Sequence, residues 1–206
     1  MTNDTPGAAA LLEAARWRLA ALLLERPRPG WTDEVATLAA EVGDETLGAV
    51  AALAADAREG DYLALLGPGG AVPAREVGYR PREDPGWILA DLARFFDAFA
   101  YRPRAEDPAD HVAVEAGFVG YLHLKEALAQ AAGEDDAAAV AREARAAFLA
   151  THLAPMIGRL AHALQLAGDD SHIGAAAAAI AAQLPGAPIG PVGTDDLGDC
   201  DGCTLR

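Results

Sequence analysis

Apolar residues along this chain recur at helical intervals, and prolines, glycines and short acidic clusters punctuate them. Thr5 and Pro6 make an N-cap and first-turn pair, and Pro27 stops the run that follows. Between them Leu12, Ala15, Leu19, Leu22 and Leu23 hold one stripe, with Trp17 and the arginines interleaved. Thr32 with Asp33 and Glu34 opens a second helix that Gly43 ends. Asp44 opens a third, ended near Gly60, and a short fourth piece runs from Tyr62 to Leu66. Further helices are predicted over 87–100, 108–132, 134–150, 155–167 and 173–184. No segment alternates with period two over a strand's length. The expected fold class is therefore all-α, a single-domain multi-helix bundle with no strands.

The longest interruption is GPGGAVPAREVGYRPREDPG, residues 67–86, whose glycines and prolines forbid a continuous helix. A connection of this length inside a compact domain is functional or disordered as a rule. It carries Tyr79 and several arginines, and Trp87 follows it directly. From residue 185 onward the chain is rich in Pro, Gly and Asp and reads as a flexible tail. The organisation is thus one helical domain over 1–184, with the 67–86 loop as a hinge, and a tail over 185–206.

Composition adjusts this picture in two ways. Hydrophobic residues make up 52% of the 206, enough to bury a real core, but many are alanine and only 6% of the chain is aromatic. Closely packed helices with few bulky anchors are the expected result. The formal net charge of −15 argues against nucleic-acid binding, which needs cations to displace counterions from phosphates, and against anionic membranes. It favours either a cationic partner, steered in by the field, or simply a soluble surface. No secretory signal appears, and the run Ala8 to Leu24, interrupted by Glu13, Arg16 and Arg18, is too short and too charged to span a bilayer. Cytoplasmic localisation is the default expectation.

The most informative stretch is EDPADHVAVEAGFVGYL, from Glu106 to Leu122. Asp107 can cap a helix with Pro108 at its first position, and Asp110 falls in the first turn, where a carboxylate meets exposed amides. His111, Glu115, Phe118 and Leu122 follow at spacings of four, three and four, so they share one face. Two readings stand. His111 and Glu115 satisfy each other as a buried pair that ties the helix to a neighbour. Alternatively, with Asp110, they face outward and line a dock for a visiting chain. Gly117 and Gly120, one turn apart, each cost about 1 kcal/mol against alanine in a helix interior and so imply close approach of another backbone, from a neighbouring helix or a bound peptide.

In these residues the chain resembles the TorD/DmsD/NarJ family of molybdoenzyme chaperones, whose motif is close to E-x-P-x-D-H followed by a helix with E-L-x-F and a leucine. Glu106, Pro108, Asp110, His111, Glu115, Phe118 and Leu122 stand in matching places, whereas Ala116, Gly117 and Gly120 depart from the family pattern. RFFDAFAY (Arg94 to Tyr101) is similar to the family's preceding aromatic helix, and FLATHLAPMI (Phe148 to Ile157) to its later Phe and His-Leu. The resemblance covers roughly residues 87–164. It implies a TorD-like helical fold and a cytoplasmic, non-enzymatic chaperone, monomeric or homodimeric. Such a chaperone binds the apo catalytic subunit of a DMSO-reductase-family molybdoenzyme, its twin-arginine leader, or both, and assists cofactor insertion before export. It also implies partner-binding roles for Asp110 and His111, with Pro108 beside them, and for Tyr79 and Trp87 in the adjoining loop region. A twin-arginine leader presents two guanidinium groups and then an apolar stretch, which Asp110 and Glu115 beside Phe118 would suit.

Other chemistry is thin. Cys200 and Cys203 form one C-x-x-C in the tail: half a zinc site, an iron–sulfur ligand pair or a redox pair. A metal- or redox-handling protein is the alternative function on that account; otherwise no cofactor is expected. A helical scaffold within a larger complex is a third. His152, His162 and His172 read as ordinary capping or surface histidines. There is no Glu-x-x-His pair, no phosphate-binding glycine loop opening a helix, and no hydroxyl nucleophile with an evident base. The chain is not expected to be an enzyme.

Overall fold

The computed structural model describes residues 5–103, 107–184, 186–188 and 190. Its α-helices are α1 (Ala8–Leu23), α2 (Trp31–Val42), α3 (Glu45–Leu53), α4 (Glu59–Leu66), α5 (Pro85–Ala98), α6 (Val112–Ala132), α7 (Asp135–Phe148), α8 (Ala154–Leu166) and α9 (His172–Ala182). Among the described residues there is no strand, only an isolated antiparallel bridge between Arg75 and His111.

Helix α6 is the axis of the fold. It packs along α1 over most of its length and against α7 on another side, while α8 and α9 form a second antiparallel pair. Its contact with α1 is close because of Gly120. A Cβ there would lie 3.2 Å from the Ala14 carbonyl oxygen, the Arg18 nitrogen and the Trp17 Cβ. The approaching backbone is thus a neighbouring helix. At Gly117 a Cβ would lie 2.8 Å from the Tyr101 hydroxyl, so there the space is taken by a side chain.

Capping explains most boundaries. The Asp44 carboxylate accepts from the Leu47 N–H at 3.0 Å, and Gly43 ends α2 in the left-handed conformation, φ 64°, both as the sequence implies. Asp84 caps α5 with Pro85 behind it, two residues before the predicted start. Three further starts differ from expectation. Gly7, not Thr5, occupies the N-cap of α1, with φ 84°. Gly60 lies inside the first turn of α4, and the break before it comes from extended backbone at Ala57 and Arg58. Helix α6 begins four residues after Pro108, because His111 rather than Asp107 is its cap.

Helices α7 and α8 are joined without a turn by a π-helical segment, Leu149–Leu153. The 67–86 loop is ordered as a strap. Val72 and Ala71 donate back to the Leu65 and Ala64 carbonyls, and Glu76–Tyr79 form one tight helical turn. The strap crosses the start of α6, where the Glu76 N–H donates to the Asp110 carbonyl (2.8 Å) and the Val112 N–H to the Ala74 carbonyl (3.0 Å). Beyond α9, the Pro188 carbonyl oxygen passes 2.5 Å from where a Cβ on Gly158 would sit, so the chain crosses directly over α8. Cys200 and Cys203 lie outside the described residues, as does Glu106.

Candidate functional site

The start of α6, the strap over it, α5 and the π-helical segment meet in a buried polar cluster. His111 organises one half. Its Nδ1 accepts from the Ala113 N–H (3.2 Å), which leaves the ring proton on Nε2, 3.1 Å from the Tyr62 hydroxyl. The hydroxyl in turn reaches the Leu24 carbonyl at 3.4 Å, so one relay joins α6, α4 and the end of α1. Burial pushes the His111 pKa down, aided by the Arg75 charge and opposed by Asp107 and Asp110, and the imidazole is therefore neutral.

Asp110 is fully buried. Its Oδ1 accepts from Arg75 Nε at 2.8 Å, whereas Oδ2 has no hydrogen-bond partner. Glu115, one turn into α6, is also fully buried, and its hydrogen-bonding neighbour is Glu76 of the strap, a contact that needs a proton on one of the two carboxyl groups. Burial first, then the negative charges of Glu76 and Asp110, raise its pKa well above the usual carboxylate range. His111 and Glu115 thus do not pair with each other; each answers to the strap or to α4.

The other half of the cluster was not legible in the sequence. Glu76 from the strap is fully buried and paired with Arg80 and with His152, whose Nδ1 stands 3.0 Å from Glu76 Oε2. The opposite ring nitrogen of His152 is 3.2 Å from Asp91 Oδ2 on α5. Both contacts are hydrogen bonds only if each nitrogen carries a proton. Arg80 also donates to the Thr151 carbonyl at 2.9 Å, fastening the strap to the π-helical segment. His152 is therefore a buried linchpin and not the capping or surface histidine its sequence context suggests. His172 is likewise buried, its ring 5.4 Å from that of Trp31. Only the length of the 67–86 loop hinted at this half, because Glu76, Asp91 and His152 share no local spacing.

The expected outward-facing dock is corrected by this geometry. Asp110, His111 and Glu115 are sealed beneath the strap, and Phe118 is the centre of an aromatic core, with ring centroids of Phe148 at 4.7 Å, Phe96 at 4.9 Å and Tyr101 at 5.1 Å. Tyr79 is buried too. Its hydroxyl donates to the Pro73 carbonyl (2.7 Å), its own carbonyl accepts from Arg159 (3.0 Å), and burial raises its pKa. The surface keeps Pro108, exposed, and Trp87, 59% exposed at the first turn of α5. The reason is the strap: bridged to Asp110 and Val112, it covers the face that the sequence alone leaves open.

An accessible cleft does adjoin the motif on its other flank. A groove of about 620 Å³ runs between α1 and α6, lined by Leu11, Arg18, Tyr101, Ala113, Gly117 and Tyr121, among others. A second, of about 700 Å³, lies between α8 and α9 and is walled mainly by alanine and glycine. Among the described residues no group of three His, Cys, Asp or Glu side chains is placed to hold a metal ion, and no described helix is long and apolar enough to cross a membrane.

Residues 29–162, well over half of the chain, match the family described as nitrate reductase delta subunit. That span runs from just before α2 into α8 and contains the strap, the motif and the buried cluster. No curated protein and no solved structure matches the chain.

Proposed function

Since the chain belongs to the nitrate reductase delta subunit family, whose members are maturation chaperones of molybdoenzymes, we propose that it binds the apo catalytic subunit of a DMSO-reductase-type molybdoenzyme together with that subunit's twin-arginine leader. It acts in the cytoplasm, before export, holding the client ready for cofactor insertion. Binding is its whole activity; no bond is broken and no cofactor of its own is required. The family match across the motif and strap carries this reading.

The geometry supports the leader-binding part in a form that differs from an open dock. A leader's guanidinium groups need carboxylates, and Asp110 is a buried one whose Oδ2 has no hydrogen-bond partner. Pro108 and Trp87 are the exposed partner contacts. His111 sets the start of α6 that presents Asp110, and Tyr79 and Phe118 support the strap and helix from inside. The apolar groove between α1 and α6 accommodates the stretch that follows the arginines.

The test pairs calorimetry with cell-based loading. A twin-arginine peptide and an apo catalytic subunit should each bind the purified chain, and Asp110→Ala with His111→Ala should lower cofactor loading of the client in cells. No measurable binding by either ligand, with loading unchanged in the variant, removes the proposal. Metal analysis of the anaerobically purified full chain against its Cys200→Ser, Cys203→Ser form addresses the competing metal reading: stoichiometric metal lost in the variant would favour it.

A further inference from the structure

We infer that Asp110 is a guanidinium-exchange site, kept shut by Arg75 of the same chain and opened when a guanidinium from an incoming peptide takes Arg75's place. Only the identity of the peptide rests on the leader-binding reading; the chemistry of the site does not.

Three observations carry it. First, the closing contact is half-made. Arg75 meets Asp110 through Nε alone, at Oδ1, and leaves Oδ2 buried without a partner. A carboxylate accepts a guanidinium best through two parallel bonds, one to each oxygen, so a freely oriented arginine can do better than the tethered one. Glu115 lies near enough to Asp110 to feel its charge, and its own hydrogen-bonding neighbour is Glu76. Buried acceptors without donors are uncommon in folded proteins and call for a ligand or a water.

Second, the closing residue is free to leave. The Arg75 side chain is 44% exposed while the Asp110 side chain beneath it is 0% exposed, so the path to the carboxylate runs along Arg75 itself. Rotating Arg75 into solvent breaks one ion pair and leaves both backbone bonds of the bridge, Glu76 to Asp110 and Val112 to Ala74, in place.

Third, the neighbouring arginine cannot do the same. Arg80, five residues on, has a side chain only 12% exposed, held by Glu76, Glu83 and the Thr151 carbonyl. Of these two arginines, Arg80 is a fixed pin and Arg75 a removable plug. Exchange at the plug replaces one guanidinium by another, so no buried charge is stranded, and the net charge of −15 draws the cationic replacement in.

The test uses the full chain and methylguanidinium as probe, with methylammonium as a cation of equal charge lacking the fork. Thermal unfolding of Arg75→Gln should rise saturably with millimolar methylguanidinium and much less with methylammonium. Wild type and the double variant Arg75→Gln, Asp110→Asn should show no saturable rise. If Arg75→Gln does not fold, Arg75→Lys serves in its place, since lysine keeps a charge on Asp110 but not the fork. Equal responses in the single and double variants overturn the inference. A twin-arginine peptide separates it from the functional reading: binding about tenfold tighter to the plug variant than to wild type supports both. Equal affinity for the two overturns the plug while sparing the reading. A methylguanidinium response with no peptide binding to any form upholds the exchange site and removes the leader.

Discussion

His111 and Tyr62, forty-nine positions apart, meet with 3.1 Å between imidazole Nε2 and phenol oxygen, both groups buried. Because Nδ1 is already engaged by the Ala113 N–H, the ring has no other way to place its Nε2 proton. Tyr62→Phe should therefore leave a buried N–H without an acceptor and cost about 1–3 kcal/mol. A lower urea midpoint at unchanged slope would register that loss; an unchanged midpoint would mean the relay contributes nothing.

The same histidine sets a pH dependence. Burial lowers the pKa of His111 and His172 from the ordinary 6.5, and with the Arg145 charge takes His123 to about 4. A folded pKa below the unfolded one means the unfolded chain binds more protons as pH falls. Stability should hold above pH 6.5 and decline from there toward 4, by about 1.4 kcal/mol per pH unit for each full proton of difference. His111→Asn retains a capping side chain without the titration. Its decline over that window, followed by chemical denaturation at several pH values, should be shallower.

Glu115 has the opposite sign. Its folded pKa is raised, so its contribution is intact below the unfolded value near 4.5 and is lost as pH climbs toward the folded one. Glu115→Gln removes that loss. The variant should melt above wild type at pH 7–8, by roughly 2–4 °C for each kcal/mol recovered, and the gap should close near pH 4.5. A gap that persists in acid would mean the gain has another origin.

Gly117 and Gly120 should respond differently to alanine although one turn separates them. At Gly117 the obstacle is the hydroxyl end of the Tyr101 side chain and no backbone, and the gain in helix propensity offsets part of the shift it must make, so alanine should cost less than about 1 kcal/mol. At Gly120 it is the backbone of α1, and prying two helices apart should cost about 1–3 kcal/mol. Paired thermal melts decide it; equal effects would show that α1 yields as easily as a phenol.

Much of the helical framework was legible because its signals are local. The Asp44 cap, the Gly43 stop and the close approach at Gly120 each follow from a residue and its immediate neighbours. The start of α6 was misplaced because Asp107–Pro108 and His111 are rival caps, and only the bridge to Arg75 favours the later one. The candidate site was half legible. Asp110, His111 and Glu115 stand on one short stretch, but their covering and the Glu76–His152–Asp91 chain depend on contacts across 35, 76 and 61 residues. No periodicity encodes such distances. The burial of the trio follows from the strap's order, which its glycines and prolines conceal.

The π-helical segment between Phe148 and Ala154 has a consequence for how this chain tolerates change in length. Each residue of an ordinary helix advances the face by about 100°, so excising one position there would swing everything downstream by that angle relative to α7. Met156, Ile157 and Leu160, now fully enclosed, would point elsewhere, and His152 would lose its two acid neighbours. At this spot the number of residues matters as much as their kind, and a single-codon deletion should be far more damaging than any one replacement.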